Sequence, residues 1–162
     1  MASILKTDKI EGVTSSGTVA IPNHVIQVVN QTYNTAINAS ADTVTSTGLS
    51  LSITPKSANN KILVMGSVNG VFTNATHTGV NIDVFRGASS SDTKIADAHV
   101  HASYNTSSTD NQVNVPFMIL DSPSTTSAQT YSVFFNRSNG SGTARVQSNG
   151  SESSLTLMEI AQ

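Results

Sequence analysis

The sequence predicts an all-β protein, an antiparallel sandwich or barrel of about nine strands. Three observations carry this expectation. Apolar residues recur with period 2 at Leu49, Leu51 and Ile53, at Val113, Val115, Phe117 and Ile119, at Tyr131, Val133 and Phe135, and at Leu155 and Leu157. Each set lines one face of a strand. Between the sets stand Asn69-Gly70, Asn139-Gly140 and Asn149-Gly150, which are strong turn signals. About a third of the chain is Ser, Thr or Asn, and no comparable stretch has a helical period.

The first 23 residues read as an extended arm. Ile4, Leu5, Ile10, Val13, Val19 and Ile21 are too sparse to form a core, so the arm gains order only against a partner. Pro22 marks the exit, and residues 24–162 form the head. The expected strands of the head are Val25–Tyr33, Val44–Ile53 (stopped by Pro55), Lys61–Phe72 (broken near Asn69-Gly70), Val80–Phe85, Lys94–Tyr104, Gln112–Leu120, Thr130–Arg137, Ala144–Gln147 and Ser154–Ile160. Two runs are apolar on both faces, Phe117 to Leu120 and Val133 to Phe135. Such strands are covered on both sides. One side is the core, and the economical cover for the other is a second subunit. Phe117, Ile119, Val133, Phe134 and Phe135 are the candidates for that interface.

Composition narrows the function classes. Apolar residues make up 37% and charged residues 11% of the chain, so the surface is polar but uncharged. Eight scattered Lys and Arg residues and a net charge of −2 argue against nucleic acid, which needs a clustered basic footprint. The absence of Cys removes a disulfide scaffold, a thiolate metal site and a cysteine nucleophile. No apolar run approaches the ~18 residues of a membrane span. Met1 to Lys6 lack the features of a secretory signal, so export by that route is not expected.

Three stretches resemble small fibre-like structural proteins of marine tailed phages, the cyanophage type. The first is Ile4-Leu5-Lys6-Thr7-Asp8-Lys9-Ile10 with Ser16 to Pro22. The second is Leu51 to Ser57 with Asn60-Lys61-Ile62-Leu63-Val64. The third is Leu120-Asp121-Ser122-Pro123, Thr130-Tyr131 and Ser154 to Ile160. The resemblance implies a jelly-roll head similar to the C1q and tumour-necrosis-factor folds, assembled as a homotrimer on the virion. It also implies virion localisation after assembly in the host cytoplasm. Ile4, Leu5, Ile10, Val19 and Ile21 of the arm would anchor the protein to other virion proteins, and the head would meet a host glycan or protein. The rival is a stand-alone carbohydrate-binding module or adhesin of the same sandwich type.

Few residues suggest chemistry. His99 and His101 stand at i and i+2 and would share one strand face. Three copies around a trimer axis would then offer six imidazoles to a metal. The alternative is a pair of solvent-facing side chains, and no cofactor is expected. No Gly-x-Ser-x-Gly elbow is present, and the acids stand singly, without the positioned pair that glycoside cleavage needs. An enzyme is therefore not expected. Asp121 reads as a turn residue before Ser122-Pro123. Arg86 and Arg137, at strand ends, are expected to pair with Asp83 or Glu159. Tyr104, beside the polar loop 105–110, is the candidate surface contact.

Overall fold

The computed structural model describes residues 23–39, 43–107 and 111–162. The arm expected over residues 1–23, with its anchor residues, lies outside them except for Asn23. The described residues form ten strands: β1 (Val25–Tyr33), β2 (Ile37–Ala39), β3 (Thr45–Ile53), β4 (Lys61–Thr73), β5 (Gly79–Arg86), β6 (Thr93–Ala102), β7 (Asn111–Asp121), β8 (Gln129–Asn139), β9 (Ala144–Val146) and β10 (Ser153–Ile160). A single 3-10 turn, Ser148–Gly150, precedes β10.

All pairings are antiparallel, in two sheets. The first runs β1-β10-β4, with β7 on the far edge of β4. The short β9-β2 pair continues beside β4 beyond β10. The second runs β3-β8-β5-β6. The eight long strands pass between the sheets in the order of a jelly roll, in which two Greek keys are wound together. Chain entry is tied into this frame, since Asn23 N–H donates to the Ala161 carbonyl and Ala161 N–H to that of His24.

The period-2 residues face inward as their spacing dictates. Leu49, Val64, Val84, Val133, Phe135 and Leu157 are fully buried between the sheets. Burying one such side chain contributes about 1.5–3 kcal/mol. The inner faces also hold Tyr131, whose hydroxyl donates to Asp121 Oδ2 at 2.7 Å. Burial and that carboxyl raise the phenol far above its ordinary range.

Two local expectations are corrected. Asn69-Gly70 interrupts the ladder without breaking β4, which runs on to Thr73. The dipeptide is a bulge opposite β7, between Val68 and Val71, with Gly70 at φ 63°. Asn69 takes Ser153 Oγ onto its N–H at 2.9 Å and gives its own amide to the Glu152 carbonyl at 2.7 Å. A turn signal is thus used to bend a long strand. The second correction concerns the doubly apolar runs. Phe117, Val133 and Phe135 lie in the core, and Ile119 packs against it. They fill the interior instead of facing a neighbour. Only Phe134 among the five lies on an outer face, edge-on to Phe85 at 5.4 Å.

The outer faces differ in chemistry. That of the second sheet carries hydroxyl pairs Ser50–Ser132 and Ser52–Thr130 at 2.8 Å across β3 and β8, beside the Phe85–Phe134 pair. That of the first sheet is read from the register, because directly opposed residues share a face. Val28, Met158, Leu63 and Leu120 form one row across β1, β10, β4 and β7. Asn30, Thr156, Met65 and Met118 form the next.

Candidate functional site

Three connections meet at one end of the sandwich: β4–β5, β6–β7 and β8–β9. Tyr104 stands there, 40% exposed. Two imidazoles flank its ring edge-on, His77 at 6.2 Å and His101 at 5.9 Å between centroids. His77 N–H donates to the Asn105 carbonyl at 2.7 Å. Ser138 Oγ lies 2.9 Å from His101 Nδ1. Behind them, Asn139 accepts Gly79 N–H at 3.0 Å and Asn74 accepts Thr143 N–H at 2.6 Å. The Ser103 hydroxyl donates to the Asn111 carbonyl.

The backbone of this end is strained. His77, His101 and Ser103 take φ of 56°, 60° and 60°, a region that costs an ordinary residue about 1–3 kcal/mol. The packing holds them there. A Cβ on Gly140 would come within 2.3 Å of Thr78 Oγ1 and 2.6 Å of the His77 carbonyl, so the loops approach too closely for any side chain at that position. Strain of this kind gathers where a surface must be held in one shape.

The sequence candidates fall as follows. Tyr104 is on the surface at a built cluster. His101 belongs to that cluster, but His99 does not join it. The expected common face fails because β6 pairs irregularly with β5, shifting register on both sides of Ile82, and because His101 is left-handed. Among the described residues no group of three or more His, Asp or Glu is gathered for a metal. Ser138 and His101 have the spacing of a nucleophile and its base. Among the described residues no hydrogen bond joins a carboxyl group to His101.

The charged candidates pair differently from expectation. Arg86 is held by Asp121 at 3.0 Å, not by Asp83. Arg137 donates to the Gly142 carbonyl at 3.1 Å. Arg86 borders an open polar groove of about 640 Å³ at the other end of the sandwich, with Asp92, Thr93, Gln129 and Thr130. Asp83 and Asp97 are opposed across β5 and β6. Lys94 sits between them, 3.3 Å from Asp83 and 2.7 Å from Asp97. An ammonium group therefore bridges the two carboxyl groups.

That triad sets a pH dependence. Burial, reinforced by Asp97, raises the Asp83 carboxyl above its ordinary range against the pull of Lys94. Lys94, then Asp83, lowers Asp97. A raised carboxyl contributes stability below its unfolded pKa and loses it as pH climbs through the folded value. Replacing Asp83 removes that loss. Asp83→Asn is expected to gain stability relative to the native chain as pH rises upward from about 4. Urea midpoints at pH 4 and pH 7 measure it; an equal offset at both rejects it.

No protein-family model matches the chain, and no curated protein matches it. Among solved structures, the chain is similar to the VP2 subviral particle of infectious bursal disease virus, with TM-score 0.46 and 12% identity over 99% of this chain and 42% of that one. It is also similar to a viral particle structure of the same virus, with TM-score 0.48 and 13% identity over 99% and 41%. The chain spans about two fifths of the length of the chains it matches. Taken by its own strands, the molecule is a jelly-roll β-sandwich with an apolar band on the outer face of the first sheet and a braced polar loop end. No helix among the described residues is long and apolar enough to cross a membrane.

Proposed function

We propose that the chain is a structural component of a phage virion. It is a non-enzymatic, homotrimeric fibre or host-attachment protein that projects from the tail or the head. Residues 1–23 join it to other virion proteins, and the loop end meets a glycan or protein of the host surface. The observation that carries the host contact is the Tyr104 cluster. An exposed ring flanked by two imidazoles, on loops braced into strained conformations, offers a fixed aromatic and polar contact. Rigid aromatics make such contacts at low conformational cost. The jelly-roll architecture and the resemblance in the strand and turn phrases support the virion placement.

The test is adsorption of the labelled full-length chain to host cells. Tyr104→Ala is expected to weaken binding about threefold to tenfold, the range of one aromatic contact. The melting temperature should be nearly unchanged, because the ring is on the surface. Adsorption equal to that of the native chain would remove Tyr104 from the contact.

A further inference from the structure

The outer face of the first sheet carries an apolar band left open by the described residues. Val28, Met158, Leu63 and Leu120 cross all four long strands in one row, and Met65 and Met118 extend the band into the next. Met118 is 71% exposed, Leu120 54% and Val28 52%. Neither row contains a charged side chain. Contiguous apolar surface of this kind on a soluble domain marks an interaction site.

We propose that this face is the self-association surface, with three copies of the chain burying it around a common axis. The inference rests on the trimer of the proposed function and names the face that makes it. Three features select further copies of this chain as the occupant. An uncharged apolar band is complementary to itself, whereas the outer face of the second sheet carries the hydroxyl pairs of β3 and β8 and the charges of Lys94, Asp83 and Asp97. The dimensions close. Four strands about 4.8 Å apart make a face about 19 Å wide, and three such faces joined as a triangle stand about 5–6 Å from the axis. That matches half of the ~10 Å spacing between packed sheets, so ordinary Leu and Met side chains fill the centre. The borders close as well. Among the described residues β1 pairs only with β10, and β7 only with β4, which leaves two open edges. In a three-fold ring β1 of one copy lies beside β7 of the next, and both edges are shielded. A two-fold stack leaves them open, so three copies are favoured over two.

The full-length chain at tens of micromolar is expected to scatter light as three chains. Met118→Lys combined with Leu120→Lys should raise the trimer dissociation constant at least tenfold, since charges would be buried without partners. That variant should keep its β-sheet circular dichroism, because both side chains project outward. Ser52→Lys, on the opposite sheet, should stay trimeric. The chain has no Cys, so Met118→Cys carries a single nitroxide whose spectrum should be broadened by the neighbouring copies; Thr130→Cys should show no such broadening. The nitroxide measurement decides the matter even if the double variant fails to fold. A native chain with the mass of one or two chains, a double variant that stays trimeric, or an unbroadened Met118→Cys spectrum each overturns the proposal. So does a monomer whose Met118→Cys resists a thiol reagent, which would put another segment or partner on the face. Host adsorption is a separate readout: a monomer that adsorbs sinks this inference alone, and a trimer that does not adsorb sinks only the host contact.

Discussion

Replacing Glu159 with Ala should destabilise the head by more than about 3 kcal/mol, one of the two largest effects expected of any single substitution. The side chain is fully buried. Its carboxyl group takes three donors at 2.6 Å: Gln27 Nε2, the Lys56 backbone N–H and Asn60 Nδ2. The donors come from β1 and from two points of the β3–β4 connection. Gln27 is on β1 and also donates to the Thr54 carbonyl at 2.7 Å. Lys56 is in the β3–β4 connection. Asn60 precedes β4 and accepts Gln162 N–H at 3.2 Å. One carboxyl group thus fastens a sheet-crossing loop and both chain-end strands. Truncation leaves the buried Asn60 Nδ2 and the part-buried Lys56 N–H without that acceptor and Gln27 with the Thr54 carbonyl alone, and each unsatisfied buried group costs about 1–3 kcal/mol. Glu159→Gln keeps the shape but turns one acceptor into a donor, so a smaller loss is expected. Urea denaturation measures both through the midpoint at constant slope. A Glu159→Leu protein as stable as the native chain would show that filling the space is enough, and would refute the role given to the donors.

Glu159 also shows where sequence reading stops. Its spacing in Leu155-Thr156-Leu157-Met158-Glu159 puts it on the core face, which period 2 makes legible. Its partners are 99 to 132 positions away in the chain, and none is the arginine expected. The strands themselves were readable because alternation is a local property. β2, with only Ile37-Asn38-Ala39, is too short to alternate and was missed. The same locality explains the runs at Phe117 to Leu120. Alternation separates Phe117 and Ile119 from Met118 and Leu120, but does not say which pair meets the core. Sheet register decides that: it sets Phe117 opposite Gly66 inside and Met118 opposite Met65 outside. The apolar band exists only once four strands are in register, so no window of sequence displays it. Tyr104 was visible as an aromatic residue beside a polar loop. Its two imidazoles arrive from different elements, His77 from the β4–β5 connection and His101 from the end of β6, and β6 irregularities that leave no mark in the sequence separate His99 from them.

Gly66→Ala should be at least as damaging as the loss of Glu159, although it adds only one methyl group. Gly66 lies in the middle of β4, the strand that pairs with β10 on one side and β7 on the other. A Cβ there would stand 2.2 Å from the Ser154 carbonyl oxygen, 2.9 Å from Phe117 Cζ and 3.2 Å from Leu155 Cα. Two of these three atoms are backbone of β10 and cannot rotate away. The strand would have to move, and the β4–β10 ladder would open across the centre of the first sheet. Phe117, opposite Gly66 on β7, lays its ring over the bare glycine, which is how a strand glycine is covered. Its displacement would also open the core. Overpacking usually costs about 1–3 kcal/mol, and more where backbone must shift. The expected outcome is therefore a loss above about 3 kcal/mol or failure to recover folded protein. Gly150 supplies the control. It is left-handed at φ 73° with nothing within 4 Å of an added Cβ, so Gly150→Ala should cost only the backbone strain of about 1–2 kcal/mol. If thermal melts give the two alanine variants equal losses, the close approach of β10 to β4 is not what requires glycine at position 66.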